Sequence, residues 1–247
     1  MPRPLPVTLL LFSFAAVGAE VPPVQAGVRS PDLERTADAI VQRTNAFRCP
    51  LEPVQPDPVL RETALYFADY LARTDRFGHG ADGSGPAERA ERHGYEICLI
   101  SENLAYQFDS RGFSADELAS KTVEGWKESP GHRENLVDPH VTETGVAVAG
   151  SDRSGHYYAV QLFGRPRSDS IEFRISNESR TEVSYRLDGE TFPLPPRYRR
   201  THEQCRPAEL RLQLPGERDA ETIEPQDGDA FTVVADDSGR LSLRGAR

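Results

Sequence analysis

Between Gly78 and Gly164 the sequence carries side chains suited to holding a metal ion or moving a proton near neutral pH. FGHG contains His79, ENLAY contains Glu102, GWKESPGHRENLVDPHVTETGVAVAG contains His132, and YYAVQLFG comes after them. Two imidazoles and a carboxylate are a donor set that Zn2+ accepts while leaving a fourth position open to water. These residues are far apart in sequence, so only a fold brings them together. Each also has a plainer role available. His79, between two glycines after Phe77, has the setting of a loop histidine bonded to backbone. His132 comes after Ser129, Pro130 and Gly131, a tight turn into the short helical segment HRENL, where it can pack beneath Trp126 while Ser129 caps the turn. Glu102 can be an ordinary exposed carboxylate at the start of a strand-like run, and the Asn103 amide can hold a turn's backbone. Ser129 lies close enough to His132 to suggest a nucleophile and its base, a pairing that also needs a third group to orient the base. The chain contains neither a GxSxG elbow nor HExxH.

These residues need a scaffold, and the surrounding pattern supplies one. DLERTADAIVQRTNAFR places Leu33, Ala37, Ile40, Val41, Thr44 and Phe47 at helical spacing, with acidic residues in the first turn. PDPVLRETALYFADYLART repeats that logic, with Pro58 near the start and Leu60, Ala64, Leu65, Ala68 and Leu71 on one face. A weaker third helix over PAERAERHG ends at Gly94. The fourth, FSADELASKTVEGWKES, opens on Ser114 with Glu117 placed to complete a capping box. YEICLI, GVAVAG and HYYAVQLFG read as strands, the last two joined by SDRSG, so helices flank a small antiparallel sheet. After FGRPRSDS the helical period disappears, and IEFRIS, EVSYRL, ELRLQL and FTVVAD alternate as short strands of a small sandwich-like β-domain. The basic cluster RYRRTH reads as a solvated loop.

Composition narrows the classes. With 247 residues and a net charge of −10, the chain can bury an ordinary core but offers no basic stripe to a phosphate backbone, which argues against nucleic acid as a partner. The first 19 residues have the layout of a secretory signal peptide: Arg3, an apolar run from Leu5 to Val17, then Gly18 and Ala19. That run is shorter than the ~20 residues needed to span a bilayer, and there is no second one, so export without a remaining transmembrane segment is expected. Residues 20–31 read as a flexible lead-in. Three cysteines in an exported chain suggest one disulfide and one free thiol. Cys49 after the first helix and Cys98 just ahead of ENLA favour pairing those two, the alternative being that Cys205 ties the two domains together.

FGHG, ENLAY, SPGHR with GVAVAG behind it, and YYAVQLFG occur in an order and spacing that resembles the bacterial branch of the CAP superfamily. That superfamily includes cysteine-rich secretory proteins, venom antigens and plant pathogenesis-related proteins. The resemblance extends to Asn45 and Arg48 and ends near Arg167. It implies an α+β architecture: a CAP-type α/β/α sandwich over residues 32–166, then the all-β region 168–247. It also implies a cleft of two histidines and two acidic residues able to hold a divalent metal, zinc foremost. Carried onto this sequence, the set is His79, Glu102, His132 and, beside Trp126, Glu128. His156 resembles the GHYT signature of animal members, but GVAVA precedes it where the animal order is reversed, so it reads as a hairpin-turn residue. The function that the resemblance implies is a secreted or envelope binding and effector module, for a lipid, a sterol-like ligand or a protein partner. A zinc-dependent extracellular hydrolase using the same cleft is the alternative, and a structural envelope protein a second.

Overall fold

The structure is a computed structural model that describes residues 29–216 and 219–246, so the signal-peptide reading of residues 1–19 lies outside the described residues. Helix starts are fixed by side-chain caps. Asp32 accepts from the Arg35 amide at the start of α1 (Leu33–Arg48), and Asp57 does the same from Leu60 at α2 (Pro58–Thr74), whose first residue is proline. Ser114 and Glu117 form the expected reciprocal box at α4 (Ala115–Glu128). Two short helices complete the set, α3 (Pro86–Arg92) and α5 (Pro130–Leu136).

Four strands make the first sheet: β1 (Gln55–Pro56), β2 (Ile97–Gln107), β3 (Glu143–Gly150) and β4 (Tyr157–Pro166), in the order β1-β3-β4-β2. Strands β2, β4 and β3 pair antiparallel, as the alternating runs imply, while the two-residue β1 adds a parallel edge too short to leave a pattern in the sequence. The sheet is covered on both faces. Ile40, Leu118, Val123, Trp126 and Leu136 pack with Val146, Val148 and Phe163 on one side, and Leu60, Phe67, Leu71 and Ala90 pack with Leu104, Val160 and Leu162 on the other. This is the expected α/β/α layering. Leu65, expected on the buried face of α2, is exposed; the helix is rotated so that Thr63 and Phe67 take the buried positions beside Leu60, Ala64, Ala68 and Leu71. Close approach of α2 to β3 depends on Gly145, where a Cβ would overlap the backbone of Leu60 and Arg61.

From Ile171 onward the described residues are all strand, turn and connecting loop. The strands are β5 (Ile171–Asn177), β6 (Val183–Leu187), β7 (Glu190–Leu194), β8 (Arg199–Gln204), β9 (Leu210–Leu212), β10 (Glu221–Ile223), β11 (Ala230–Ala235) and β12 (Leu241–Ala246). They form two sheets, β10-β9-β6-β7 and β12-β11-β5-β8, which share a core of Phe173, Ile175, Tyr185, Leu194, Leu212 and Val233. RYRRTH is corrected from loop to edge strand: Arg199–Gln204 pairs antiparallel with β5, alternating exposed and half-buried residues. Charged side chains are well tolerated on such an edge, which hides the strand from a reading based on composition.

The disulfide expectation is also corrected. Cys98 bonds Cys205, with Cα atoms 5.3 Å apart, and Cys49 is free and exposed just past the end of α1. The β2–β4 register shifts between Ile97 and Leu99, so Cys98 stands at a bulge on an edge strand and is turned out of the ladder. Nearness to the same sequence segments does not make Cys49 and Cys98 neighbours in space. Beside the disulfide, Arg206 forms a two-pronged ion pair with Asp138 at 2.9 and 2.6 Å, and Arg167 meets Glu203 at 3.1 Å.

Candidate functional site

Strand β2 is one edge of the first sheet, and its alternation sends Glu102 and Leu104 toward α2 and α3 and Asn103 toward α4 and α5. Glu102 is almost wholly buried, its side chain 1% exposed, and both carboxylate oxygens are engaged. Oε1 is 2.8 Å from His79 Nδ1, and Oε2 accepts from the Arg89 guanidinium at 2.8 Å. Arg89, on α3, is fully buried and organises the loop that carries His79. It donates to the carbonyls of His79 (3.0 Å) and Ser84 (2.6 Å) and to Asp82 Oδ1 (2.9 Å). Its guanidinium carbon lies 3.5 Å from the centroid of the Phe67 ring, a cation–π contact in a dry setting. Sequence reasoning missed Arg89, whose one signal is its place next to Ala90 on the buried side of a short helix.

His132 is positioned from the other face of the same strand. The buried Asn103 amide donates to the His132 carbonyl at 3.0 Å, and Asn135 donates to Asn103 Oδ1 at 2.9 Å. Trp126 donates its indole N–H to the Leu104 carbonyl (3.0 Å), so an outward-facing carbonyl of the edge strand is satisfied by a side chain instead of a further strand. Arg48 reaches the carbonyls of Leu136 (2.8 Å) and Asp138 (3.0 Å) at the end of α5, and Asn45 exchanges two hydrogen bonds with Val54. Both residues act as braces.

The two imidazoles are electrostatically distinct. The hydrogen bond to Glu102 raises the His79 pKa above its ordinary value, against some desolvation. Burial lowers that of His132, and the nearby His79 charge lowers it further. His79 keeps Nε2 free, because Nδ1 faces the carboxylate and the side chain is about half exposed. A carboxylate behind one ring nitrogen orients the other toward whatever binds in front. Of the residues expected from the sequence, the structure thus links His79 directly to Glu102 and sets His132 within electrostatic reach. Glu128 is exposed at the last position of α4, and its side chain makes no hydrogen bond or ion pair with another described residue. Among the described residues no three His, Cys, Asp or Glu side chains are grouped so as to hold a metal ion.

The chain has relatives among known proteins. Residues 41–163 match the model of the CAP, cysteine-rich secretory protein family, and through this segment the chain belongs to that family. It is 27% identical over 129 residues to the uncharacterized protein YkwD of Bacillus subtilis, an alignment covering 51% of this chain and 46% of YkwD. The chain therefore spans less than half the length of that relative. Among solved structures it is similar to an outer surface protein of Borrelia burgdorferi, at 20% identity, covering 54% of this chain and 94% of that one, with a TM-score of 0.48. It is also similar to an extracellular SCP-domain protein of Bacillus anthracis, at 24% identity, covering 54% and 41% respectively, with a TM-score of 0.46.

Proposed function

We propose that this CAP protein is an exported binding module, with the ligand-facing site at the β2 edge where His79 and His132 present their imidazoles. The observation that carries this reading is the double engagement of Glu102, which makes it the orienting partner of His79. A general base for hydrolysis needs a free carboxylate oxygen within reach of the attacking water, and the Arg89 and His79 contacts occupy both. The residues fit a cation only as a two-nitrogen site, His79 Nε2 and His132, with the rest of its coordination drawn from water or from the bound molecule; a catalytic zinc takes three protein ligands. A cation held there supplies a positive anchor for an anionic or carbonyl group of a ligand. Export is supported by the Cys98–Cys205 disulfide, a bond that persists in oxidising compartments. No helix among the described residues is long and apolar enough to cross a membrane.

The test separates binding from turnover. The purified protein, with and without zinc, is offered generic ester, peptide and phosphoester substrates alongside Glu102→Gln. Absence of zinc-dependent turnover, together with zinc affinity that falls in a His79→Ala/His132→Ala variant, supports the binding reading. Zinc-dependent hydrolysis abolished by Glu102→Gln overturns it in favour of a metal hydrolase.

A further inference from the structure

Beyond the imidazole site, the same face of the sheet carries an exposed row of aromatic rings. Tyr106 and Tyr158 stand directly opposite each other in the β2–β4 ladder, and the period of two puts Tyr106 on the face that bears Glu102, about 13 Å further along the strand. Phe77, two residues before His79, meets Tyr106 edge-on with centroids 4.9 Å apart. His156, in the turn before β4, lies 5.4 Å from Tyr106 and 5.4 Å from Phe108. The row Phe77–Tyr106–His156–Phe108 is therefore continuous. Three of its members are about half exposed, at 48% for Phe77, 52% for Tyr106 and 56% for Phe108. Such a concentration on one surface marks an interaction site.

The row's chemistry identifies its occupant. The rings are braced by one another and by the Tyr158 pairing, so little side-chain entropy is lost when a ligand lies on them. A fixed polar group stands beside them: Asp75 accepts from Ser154 Oγ at 2.7 Å, from the Tyr158 hydroxyl at 3.1 Å and from Arg153 at 3.2 Å. Arg153 is paired with Asp75 and Arg111 with Asp109, and among the described residues the two exposed unpaired ions nearby, Arg76 beside Phe77 and Asp152 in the hairpin, carry opposite charges, which leaves a surface of little net charge. An anionic membrane calls for a basic face beside its apolar anchors, and this surface has little net charge. A polymer of pyranose rings, with apolar C–H faces and equatorial hydroxyls, matches aromatic faces flanked by fixed hydrogen-bonding groups. The geometry points to this surface as a docking platform for an uncharged β-linked polysaccharide, running from the hairpin turn toward His79.

The test uses calorimetry and affinity electrophoresis of the full protein with N-acetylglucosamine and glucose β-1,4-hexasaccharides, beside Tyr106→Ala/Phe108→Ala. Both substitutions remove half-exposed rings, and retention of the fold is checked by Trp126 fluorescence. Wild type should bind at least one hexasaccharide, and removal of both rings should weaken binding by roughly fivefold or more, at about 0.5–1.5 kcal/mol for each of the two aromatic contacts. Zinc affinity should be unchanged in Tyr106→Ala/Phe108→Ala, which separates failure of the platform from failure of the imidazole site. No binding to either sugar, or equal binding by the double-ring variant, overturns the proposal. Ring-dependent association with phosphatidylcholine vesicles in place of sugar overturns it equally.

Discussion

Replacing Arg89 with methionine tests the organisation of the site at its buried centre. Methionine keeps much of the stem volume but strands two carboxylates, Glu102 at 1% and Asp82 at 2% exposure, which Arg89 meets at 2.8 and 2.9 Å. Removing one partner of a buried ion pair costs about 3–5 kcal/mol, because the remaining charge is left uncompensated. The contact over Phe67 adds about 1–2 kcal/mol that is not independent of the first cost. We expect a loss of about 4 kcal/mol, which at a urea slope of roughly 2 kcal/mol/M moves the unfolding midpoint down by about 2 M. The single tryptophan, Trp126, is buried against the same strand and reports the transition by fluorescence. In an Arg89→Met/Glu102→Gln double-mutant cycle the two changes should couple by more than about 1 kcal/mol. A loss below about 1 kcal/mol, or strict additivity, would refute the claim that Arg89 holds Glu102 and the His79 loop in place.

Imidazole NMR titration of the metal-free protein should place His79 above the ordinary value near 6.5 and His132 below it. The consequences for stability have opposite signs. The His79 contribution is fully present below pH ~6.5 and is lost as pH rises through its raised folded value, whereas the His132 penalty is full below its lowered folded value and is relieved as pH rises through ~6.5. Reversed order of the two titrations would contradict the assigned contacts. Asn103→Ala, which deletes a buried amide bonded to the His132 carbonyl and to Asn135, should cost about 1–3 kcal/mol in the same urea assay; a neutral result would mean that Asn103 does not hold α5. Non-reducing peptide mapping should find Cys98 joined to Cys205 while Cys49 alkylates in the folded protein. Loss of this bridge, which spans a separation of 107 residues, should destabilise by about 5 kcal/mol in the loop-entropy account, and a Cys49–Cys98 link would contradict the fold.

The layers are legible in the sequence because their signals are local. Asp32, Asp57 and the Ser114/Glu117 box announce helix starts within a single turn, and the alternation of HYYAVQLFG announces β4. Resemblance to the CAP family supplies His79, Glu102 and His132, which no local pattern joins, and the structure shows how a single strand serves them: Glu102 on one face and Asn103 on the other. The features that stay hidden depend on distant partners. Arg89 looks like any helix-surface arginine until Glu102 and Asp82 close over it, and Leu65 has the right period for burial but the wrong phase. Cys98 takes its direction from a bulge, and β8 is a strand because β5 offers it a ladder, although its composition is that of a loop. Glu128 enters the expected set by its place beside Trp126, yet it ends its helix facing solvent.

Zinc calorimetry on four single variants shows whether His79 and His132 face the ligand while Glu102 stands behind them. His79→Ala and His132→Ala should each abolish the binding shown by the unaltered protein, Glu102→Gln should weaken it about 10–100-fold as loss of an orienting partner does, and Glu128→Gln should leave it unchanged. No binding by the unaltered protein, or a loss in Glu128→Gln equal to that of the histidine variants, would contradict this arrangement.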